Sequence, residues 1–506
     1  MIHVSTSAFA GGGPYSGSGR TAALRRVSEI LARYDNAQTT EETRRQWWGA
    51  DYLSAKSANN FQIRRQLRMR SRYEVANNPY LFGICNSNAD DFVGTSGPTL
   101  QVKTPSAAYN RLVEESWTEW CAEVDLAEKL RTTKIAKTVD GEGFLVLKTV
   151  TDLEHPVKLY PVDVEADQVT TPAPANLGEL WVDGLDLHPV TGRPVSYHVL
   201  KHHPGDYFFP DLNPLAVEKV SAKFVIHWFG KFRPGQVRGV PVFTSSLDLF
   251  TELRAFRKAV LANAQIAASL TALLQSEAPA NTLPEFGEGG EEGEEEGVKA
   301  FRGVPIDRGM MITLPAGFKA AGFDPKQPTT TYEMFATLCL GEAVRPLSYP
   351  LNLALGSSQR FNFSSAKLDH INYRNSLTVE RAQCNKAVLH HLFRAWYQEA
   401  SNPALGAVPM YDGLRVPPHE WHWPGFESID PVVDAQAASL QLAAGTLTLR
   451  EFWGRRGQDW REVLKQLKAE LDLQQKLGLS FGDVVKRSVT QTEQTGATDP
   501  EFANAA

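Results

Sequence analysis

The stretch from Gly356 to Ala400, GSSQRFNFSSAKLDHINYRNSLTVERAQCNKAVLHHLFRAWYQEA, constrains the fold more than any other part of the chain. After Gly356 it holds neither Gly nor Pro, so nothing interrupts a helix once one begins. Ser364 and Ser365 offer hydroxyl oxygens to cap a first turn. Leu368, Ile371, Leu377, Val388, Leu392 and Trp396 then fall mostly on helical spacing. A helix of about 35 residues spans roughly 50 Å, about three times the usual globular length. The segment that feeds it is polar, with Arg360 its only ionised side chain. A polar loop leading into so long a helix suits a protein that grips or guides something.

The chain has 506 residues, enough for two to four folding units and a large core. Its net charge of −6 argues against a tight nucleic-acid binder. The charge is uneven. The first 75 residues carry twelve Lys and Arg against six Asp and Glu, so +6 at this end is set against −12 over the remainder. Cys85, Cys121, Cys339 and Cys384 form no CxxC pair, which points to reduced thiols in a cytoplasmic compartment and to neither a metal site nor a disulfide framework. The opening, HVSTSAFAGGGPYSGSG, lacks the apolar core of a signal peptide. The most apolar run, Ala259–Leu274, is shorter than a membrane span and contains Asn263, Gln265, Ser269 and Thr271, so it reads as a buried helix.

In chain order, a Gly/Ser opening is followed by a short helix over Thr21–Tyr34 and an Arg-rich helix over Asn60–Tyr73. The second either contacts a phosphate backbone or presents a solvated or inter-subunit salt-bridge face. Pro79–Phe92 reads as a helix closed by Gly94 and Gly97, Thr99–Lys103 as a strand, and Ala107–Leu130 as a helix with Trp117 and Trp120 in the core. Thr138–Lys148 turns at Asp140-Gly141 into a strand. Further strands are expected at Val157–Val164, Leu180–Val182, Val195–Lys201 and Lys223–Phe229, with a turn-rich run over Asp186–Pro194. This block is α+β. Phe232–Pro241 is a loop and Thr244–Gln275 a second long helix. Ser276–Val298 then holds eight Glu and no Lys or Arg, the pattern of a mobile acidic loop projecting from a folded tip. Phe301–Leu314 is strand-like, Thr330–Val344 helical, and Pro346 and Pro350 break the chain before the polar loop. Beyond Ala400, extended segments at Val408–Asp412 and Trp421–Trp423 precede helices over Pro431–Ala444 and Asp459–Lys476, and a polar tail.

Signs of chemistry are sparse. The sequence has no GxxxxGK[ST] or HExxH match. The neighbours in His202-His203 and His390-His391 point apart on any regular element, so neither pair makes a metal site unaided. Asp140 with Glu142, and Asp163 with Glu165, place carboxylates on one face of a strand, as a two-metal nuclease requires, but further ligands are lacking. No catalytic residue, metal or cofactor is expected.

Several landmarks together resemble the lambda-type portal (head–tail connector) proteins of tailed bacteriophages, over about Thr39 to Ser480. They are RLVEESWTEWCAEVD, TVDGEGF, LHPVTGRPVSYHV, FVIHWFGKFRPGQVRGVP, FNFSSAKLD and GTLTLREFWGRRGQDWREVLKQLKAE, in that order. The resemblance implies an α+β subunit with an α/β wing, a long-helix stem, a protruding clip, a tunnel loop with a long tunnel helix, and a helical crown. Carried onto this chain, residues 1–38 are a basic arm, 39–240 wing, 241–275 stem helix and 276–329 clip. Residues 330–345 are the second stem helix, 346–364 the tunnel loop and 365–400 the tunnel helix. Residues 401–430 return to the wing, 431–480 form the crown and 481–506 a tail.

It also implies partners. These are further copies of the chain in a ring, usually twelve in the head; double-stranded DNA passing without sequence preference; the terminase large subunit; a major capsid or scaffold protein; and a head-completion or tail connector protein. No membrane is involved. The protein would reside in the virion at the portal vertex, and in the host cytoplasm during assembly. Channel-facing residues would be Gln359, Arg360, Asn362, Lys367 and Arg374. A docking role for the acidic loop, through Glu288, Glu291, Glu292, Glu294, Glu295 and Glu296, rests on its position and charge alone. A metal-dependent nuclease and a non-channel capsid or tail protein are the alternatives.

Overall fold

A computed structural model describes residues 41–171, 182–206, 216–269, 273–276, 318–321, 331–359, 361–411, 416–426, 431–454, 456 and 458–478. The chain divides into Met1–Ala58 and Asn59–Ala506. Described residues of the first unit form helices α1 (Glu41–Gln46) and α2 (Ala55–Ala58). The expected 21–34 helix, 301–314 strand, acidic loop and C-terminal tail lie outside the described residues.

The second unit mixes helix and sheet. Helix α3 (Phe61–Asn77) starts where the Asn60 side chain accepts the Ile63 N–H. Asn78 both ends α3 and caps α4 (Pro79–Val93), with Pro79 in the first turn, where its missing N–H costs nothing. Gly94 closes α4 as expected. Strand β1 (Thr99–Val102) pairs antiparallel with β10 (His419–His422), two residues earlier than the extended segment expected at Trp421–Trp423.

The single helix expected over 107–130 is two, α5 (Ala107–Glu123) and α6 (Leu126–Val139). Asp125 adopts a left-handed backbone (φ 52°) between buried Val124 and Leu126. The bend keeps both apolar neighbours in the core, a tertiary gain that no Gly or Pro announces in the sequence. Past α6, Gly141 takes φ 90°, and a Cβ there would stand 2.2 Å from the Val240 carbonyl carbon. Gly239 approaches the same turn, with its virtual Cβ 2.1 Å from the Gly141 oxygen. The Asp140-Gly141 turn and the RPGQVRGVP loop therefore pack backbone on backbone, and only glycine fits at either contact.

Strand β2 (Glu142–Thr149) is the centre of an antiparallel sheet between β3 (Leu159–Val164) and β7 (Val225–Phe229). A second sheet orders β4 (Leu185–Leu187), β5 (Pro194–Leu200) and β6 (Val217–Ser221). Neither β4, which opens the turn-rich run, nor the charged edge strand β6 (VEKVS) shows in the sequence pattern. Phe144, Val146, Val169, Leu185, Tyr197 and Val220 form the apolar cluster shared by the two sheets.

Helix α7 (Leu247–Ser269) stops short of the expected Gln275, because Leu273–Ser276 (β8) pairs antiparallel with Phe318–Ala321 (β9). Ladder hydrogen bonds from a distant segment satisfy backbone groups that the local Ala/Leu content would have spent in a helix. Nor is α7 the buried helix expected from its apolar run: Leu261 is 56% exposed. Among the described residues no helix is long and apolar enough to cross a membrane. Helix α8 (Thr331–Ala343) packs on α7 through Phe256, Tyr332 and Phe335. The presumed loop after Pro350 contains a helical turn, α9 (Leu351–Leu355), which buries Asn352 and Ala354 and ends at left-handed Gly356. Past Ala400, residues 408–411 form no strand; Val408 is buried and its N–H donates to the Ala400 carbonyl.

The main core converges on Trp117, whose ring lies 5.0–5.5 Å from those of Trp120, Phe393, Trp396 and Trp421. This joins α5 to the end of the long helix and to β10; each such pair adds about 0.5–1.5 kcal/mol beyond area burial. Helices α12 (Pro431–Ala443), α13 (Leu449–Gly454) and α14 (Trp460–Leu477) complete the described chain; α14 is capped by Asp459 and closed by left-handed Gly478, while α13 was not anticipated.

Candidate functional site

The long helix is present. α10 (Phe363–Cys384) passes through a π-helical turn (Asn385–Leu389) into α11 (His390–Ala400) without leaving helical geometry. Its cap differs from expectation. Asn362 is the N-cap without a side-chain bond, and Ser365 Oγ donates to the Asn362 carbonyl, so the serines do not cap the free amides. The two halves of the helix differ. Leu377, Val388, Leu392 and Trp396 are buried, whereas Leu368 is 59% and Ile371 43% exposed.

Polar anchors begin at Asn352, whose side chain meets His370 at 3.1 Å. Tyr373 donates its hydroxyl to Asp91 at 3.0 Å and accepts from Asn88 at 3.1 Å. One turn past Leu377, Glu380 receives two buried ammonium groups, Lys134 at 2.7 Å and Lys137 closer still. Burial alone would raise the Glu380 carboxyl, but Lys134 and Lys137 outweigh it and bring it to about 2. Burial pushes the Lys134 ammonium down. Arg381 then donates to three backbone carbonyls, Phe92 (2.9 Å), Asp91 (2.8 Å) and Pro424 (3.0 Å), and stacks on the Trp423 and Phe426 rings. These bonds fix the helix to the end of α4 and to the segment after β10.

The Arg-rich helix α3 has neither of its expected roles on its inner face. Arg64, Arg68 and Arg72 recur every fourth residue, so they share one face, and that face is turned into the α/β block. Arg64 pairs with Asp183 at 2.8 Å and Arg68 with Asp167 at 2.6 Å. Arg72 contacts Asp140, Asp167 and Glu165. At the centre, fully buried Glu142 accepts from Arg238 at 2.6 Å, from the Gly239 N–H at 2.9 Å and from His227 at 3.1 Å. Burial would raise Glu142, but Arg238 and His227 hold it well below the usual carboxylate range.

This geometry disposes of the nuclease arrangement. Asp140 is bound by Arg72, Glu142 by Arg238, Asp163 by Lys129 and Glu165 by Arg72, so each carboxylate already faces a protein cation. Among the described residues, Glu165, Asp167 and His203 come close enough to share a metal ion, but Arg68 and Arg72 occupy their oxygens. All four cysteines are free, and burial pushes the Cys85 thiol up to about 12, which makes it a poor nucleophile.

Of the expected channel residues, Gln359 and Asn362 are exposed at the entry to α10. Lys367 lies over the Phe363 ring at 6.0 Å and Arg374 over the Phe426 ring at 5.2 Å. Arg360 and the acidic Glu288, Glu291, Glu292, Glu294, Glu295 and Glu296 lie outside the described residues. Sequence reasoning did not pick out Lys134, Glu380, Arg381 or Arg238. The one available signal was the RPGQVRGVP loop, where Arg238 sits beside a glycine.

Among the described residues, buried ion pairs hold the α/β block together and tie the long helix to it, a build that suits a structural subunit. The chain belongs to the lambda family of phage portal proteins, whose family model matches residues 41–381. A "Probable portal protein" of Halomonas phage phiHAP-1 is 22% identical over 455 residues, covering 86% of each chain. Among solved structures, the neck of the native GTA particle computed with C12 symmetry aligns at 15% identity. That match covers 75% of this chain and 88% of that one, with a TM-score of 0.40. An HK97 family phage portal protein from Corynebacterium diphtheriae aligns at 10% identity over 72% and 96% of the two chains, with a TM-score of 0.29. The portal family is structural rather than enzymatic.

Proposed function

We propose that copies of this chain close into a ring, twelve in the assembled head, that forms the DNA channel at one vertex of the capsid. The terminase motor docks on the ring during packaging, head-completion or tail connector proteins take the same end afterwards, and DNA leaves by the same route. Family membership supports this reading. The observation that carries it is the apolar surface a single subunit leaves in water. Leu261 on α7, Met334 and Leu338 on α8, and Leu368 and Val379 on α10 are each more than half exposed. A neighbouring copy would cover them.

In this reading the two sheets and α3–α6 are the wing, α7 and α8 the stem, and the segment between those helices, with its acidic run, the clip that meets the terminase. The tunnel loop narrows to the residues between Gly356 and Asn362, because α9 is helical and partly buried. Helix α10 lines the tunnel side and α12–α14 form the crown. A net acidic ring repels the duplex from its walls, while Arg360, repeated around the ring, gives one basic girdle.

Negative-stain imaging of the purified protein, with mass by light scattering, tests the ring. Rings with a stain-filled centre are expected. A monomer at every salt concentration, or tubes and shells without a central hole, would overturn the proposal. For the girdle, Arg360→Ala should impair packaging or DNA retention, and unchanged values of both would remove it.

A further inference from the structure

Of the adjacent pair on α11, His391 is committed: its Nε2 lies 2.8 Å from the Lys223 carbonyl. His390, the first residue after the π-helical turn, faces another way. Its Nδ1 meets Nε2 of His419 at 3.4 Å, with the rings 10° from parallel and their centroids 5.4 Å apart. The other nitrogen of His419, Nδ1, is 2.8 Å from the Pro417 carbonyl, which can only accept. That bond keeps the neutral ring's proton on Nδ1 and leaves the Nε2 lone pair directed at His390. Phe393 and Trp421 hold the His419 ring edge-on at 4.6 and 5.7 Å.

We propose that His390 and His419 form a two-histidine site for a divalent transition-metal ion of the zinc type. Two imidazole nitrogens bound to tetrahedral zinc at about 2.0–2.1 Å lie roughly 3.3–3.4 Å apart. The observed separation matches that spacing and is longer than a good N–H hydrogen bond, which runs about 2.7–3.2 Å. The pair opens onto a cavity of about 410 Å³ that Asn385, Lys386, Val416, Pro417 and Trp421 also line. Water would complete the coordination of a metal held there. Lys386, the charged group on the cavity wall, opposes a dication and keeps the affinity modest. A bound metal fastens β10 and the residues before it to the π-helical turn, so occupancy stabilises the wing end of the long helix.

Zinc titration of the full-length protein by calorimetry, with cobalt absorption as a second readout, tests the site. One metal per chain and a raised melting temperature are expected, both lost when excess EDTA removes the metal. His390→Ala and His419→Ala should each weaken binding by about tenfold or more, while His203→Ala leaves it unchanged. His390 is exposed, so its variant carries the test if His419→Ala fails to fold. No uptake at millimolar zinc, uptake unchanged in His390→Ala, or loss in His203→Ala instead would each overturn the proposal.

Discussion

Replacing Glu142 with glutamine keeps the side chain's shape and removes one charge from the centre of the α/β block. Glu142 shows essentially no exposed side chain and Arg238 only 1%. Its two oxygens accept from Arg238 Nε at 3.1 and 2.9 Å, from a terminal Arg238 nitrogen at 2.6 Å, from the Gly239 N–H and from His227. Every one of these partners is a donor. A glutamine must turn its NH₂ toward at least one of them, and it leaves the Arg238 guanidinium unneutralised and out of water. Breaking a buried ion pair from one side costs about 3–5 kcal/mol. For a cooperative unit of 150–250 residues that is roughly 6–20 °C of melting temperature. Thermal unfolding of Glu142→Gln followed by circular dichroism, at matched oligomeric state, measures the loss. The double variant Glu142→Gln/Arg238→Met removes both charges and should lose less than the sum of the single changes. The pH dependence has a definite sign. Glu142 is held below its ordinary value when folded, so its contribution is complete above about pH 4.5 and is lost as the solution is acidified. Wild type should therefore lose more stability on acidification than the glutamine variant, which keeps the acid-sensitive contacts of the other paired carboxylates. A variant melting within roughly 2 °C of wild type, with the same loss on acidification, would refute the reasoning.

Glu380 gives a second acid-sensitive contact. Its carboxyl lies at about 2 against an ordinary 4.5, so Glu380→Gln should abolish stability that wild type loses between those values, on the order of 3 kcal/mol by linkage; urea titrations at stepped pH read it. Gly141→Ala forces a side chain into the Val240 backbone at a left-handed φ, and should cost well over the ~1 kcal/mol of an ordinary backbone strain; a melting temperature equal to wild type would mean the two turns do not touch. Leu377→Pro removes a helical hydrogen bond from the middle of α10 at a cost of ~3 kcal/mol or more, and intact rings recovered from it by gel filtration would contradict the role of this helix in assembly.

Local signals in the sequence located most elements and hid how they are joined. The long helix was legible because a Pro- and Gly-free run with apolar spacing has few other solutions. The Asp140-Gly141 turn and the Gly94 stop were legible because each uses a glycine whose backbone suits one geometry. The bend at Asp125 was not, since a left-handed aspartate carries no local mark and is held there only by the burial of its neighbours. β8 was hidden for a related reason: its partner strand lies far along the chain, and Leu273 and Leu274 suit a helix equally well. Composition alone could not show which way the arginines of α3 face. A row of arginines looks like a phosphate-binding face until Asp140, Asp167 and Asp183 are brought opposite it by turns more than sixty residues away.

That arrangement of charge bears on how a portal subunit can be both rigid and slippery. Arg64, Arg68, Arg72, Arg238 and Arg381 would each be a strong grip on DNA if they faced a channel. Instead, the first four are spent on carboxylates and the last on three backbone carbonyls, where they pin α3 and the long helix to the α/β block. The long helix is anchored in this way from Tyr373 to Trp396, while its front turns keep exposed apolar and weakly polar side chains. A channel wall built from those front turns would meet the duplex with few fixed cations, so each passing phosphate gains little by stopping. Adding an arginine at the front, as in Gln359→Arg, would deepen that contact at every subunit of the proposed ring. The physical expectation is slower packaging with the subunit fold untouched.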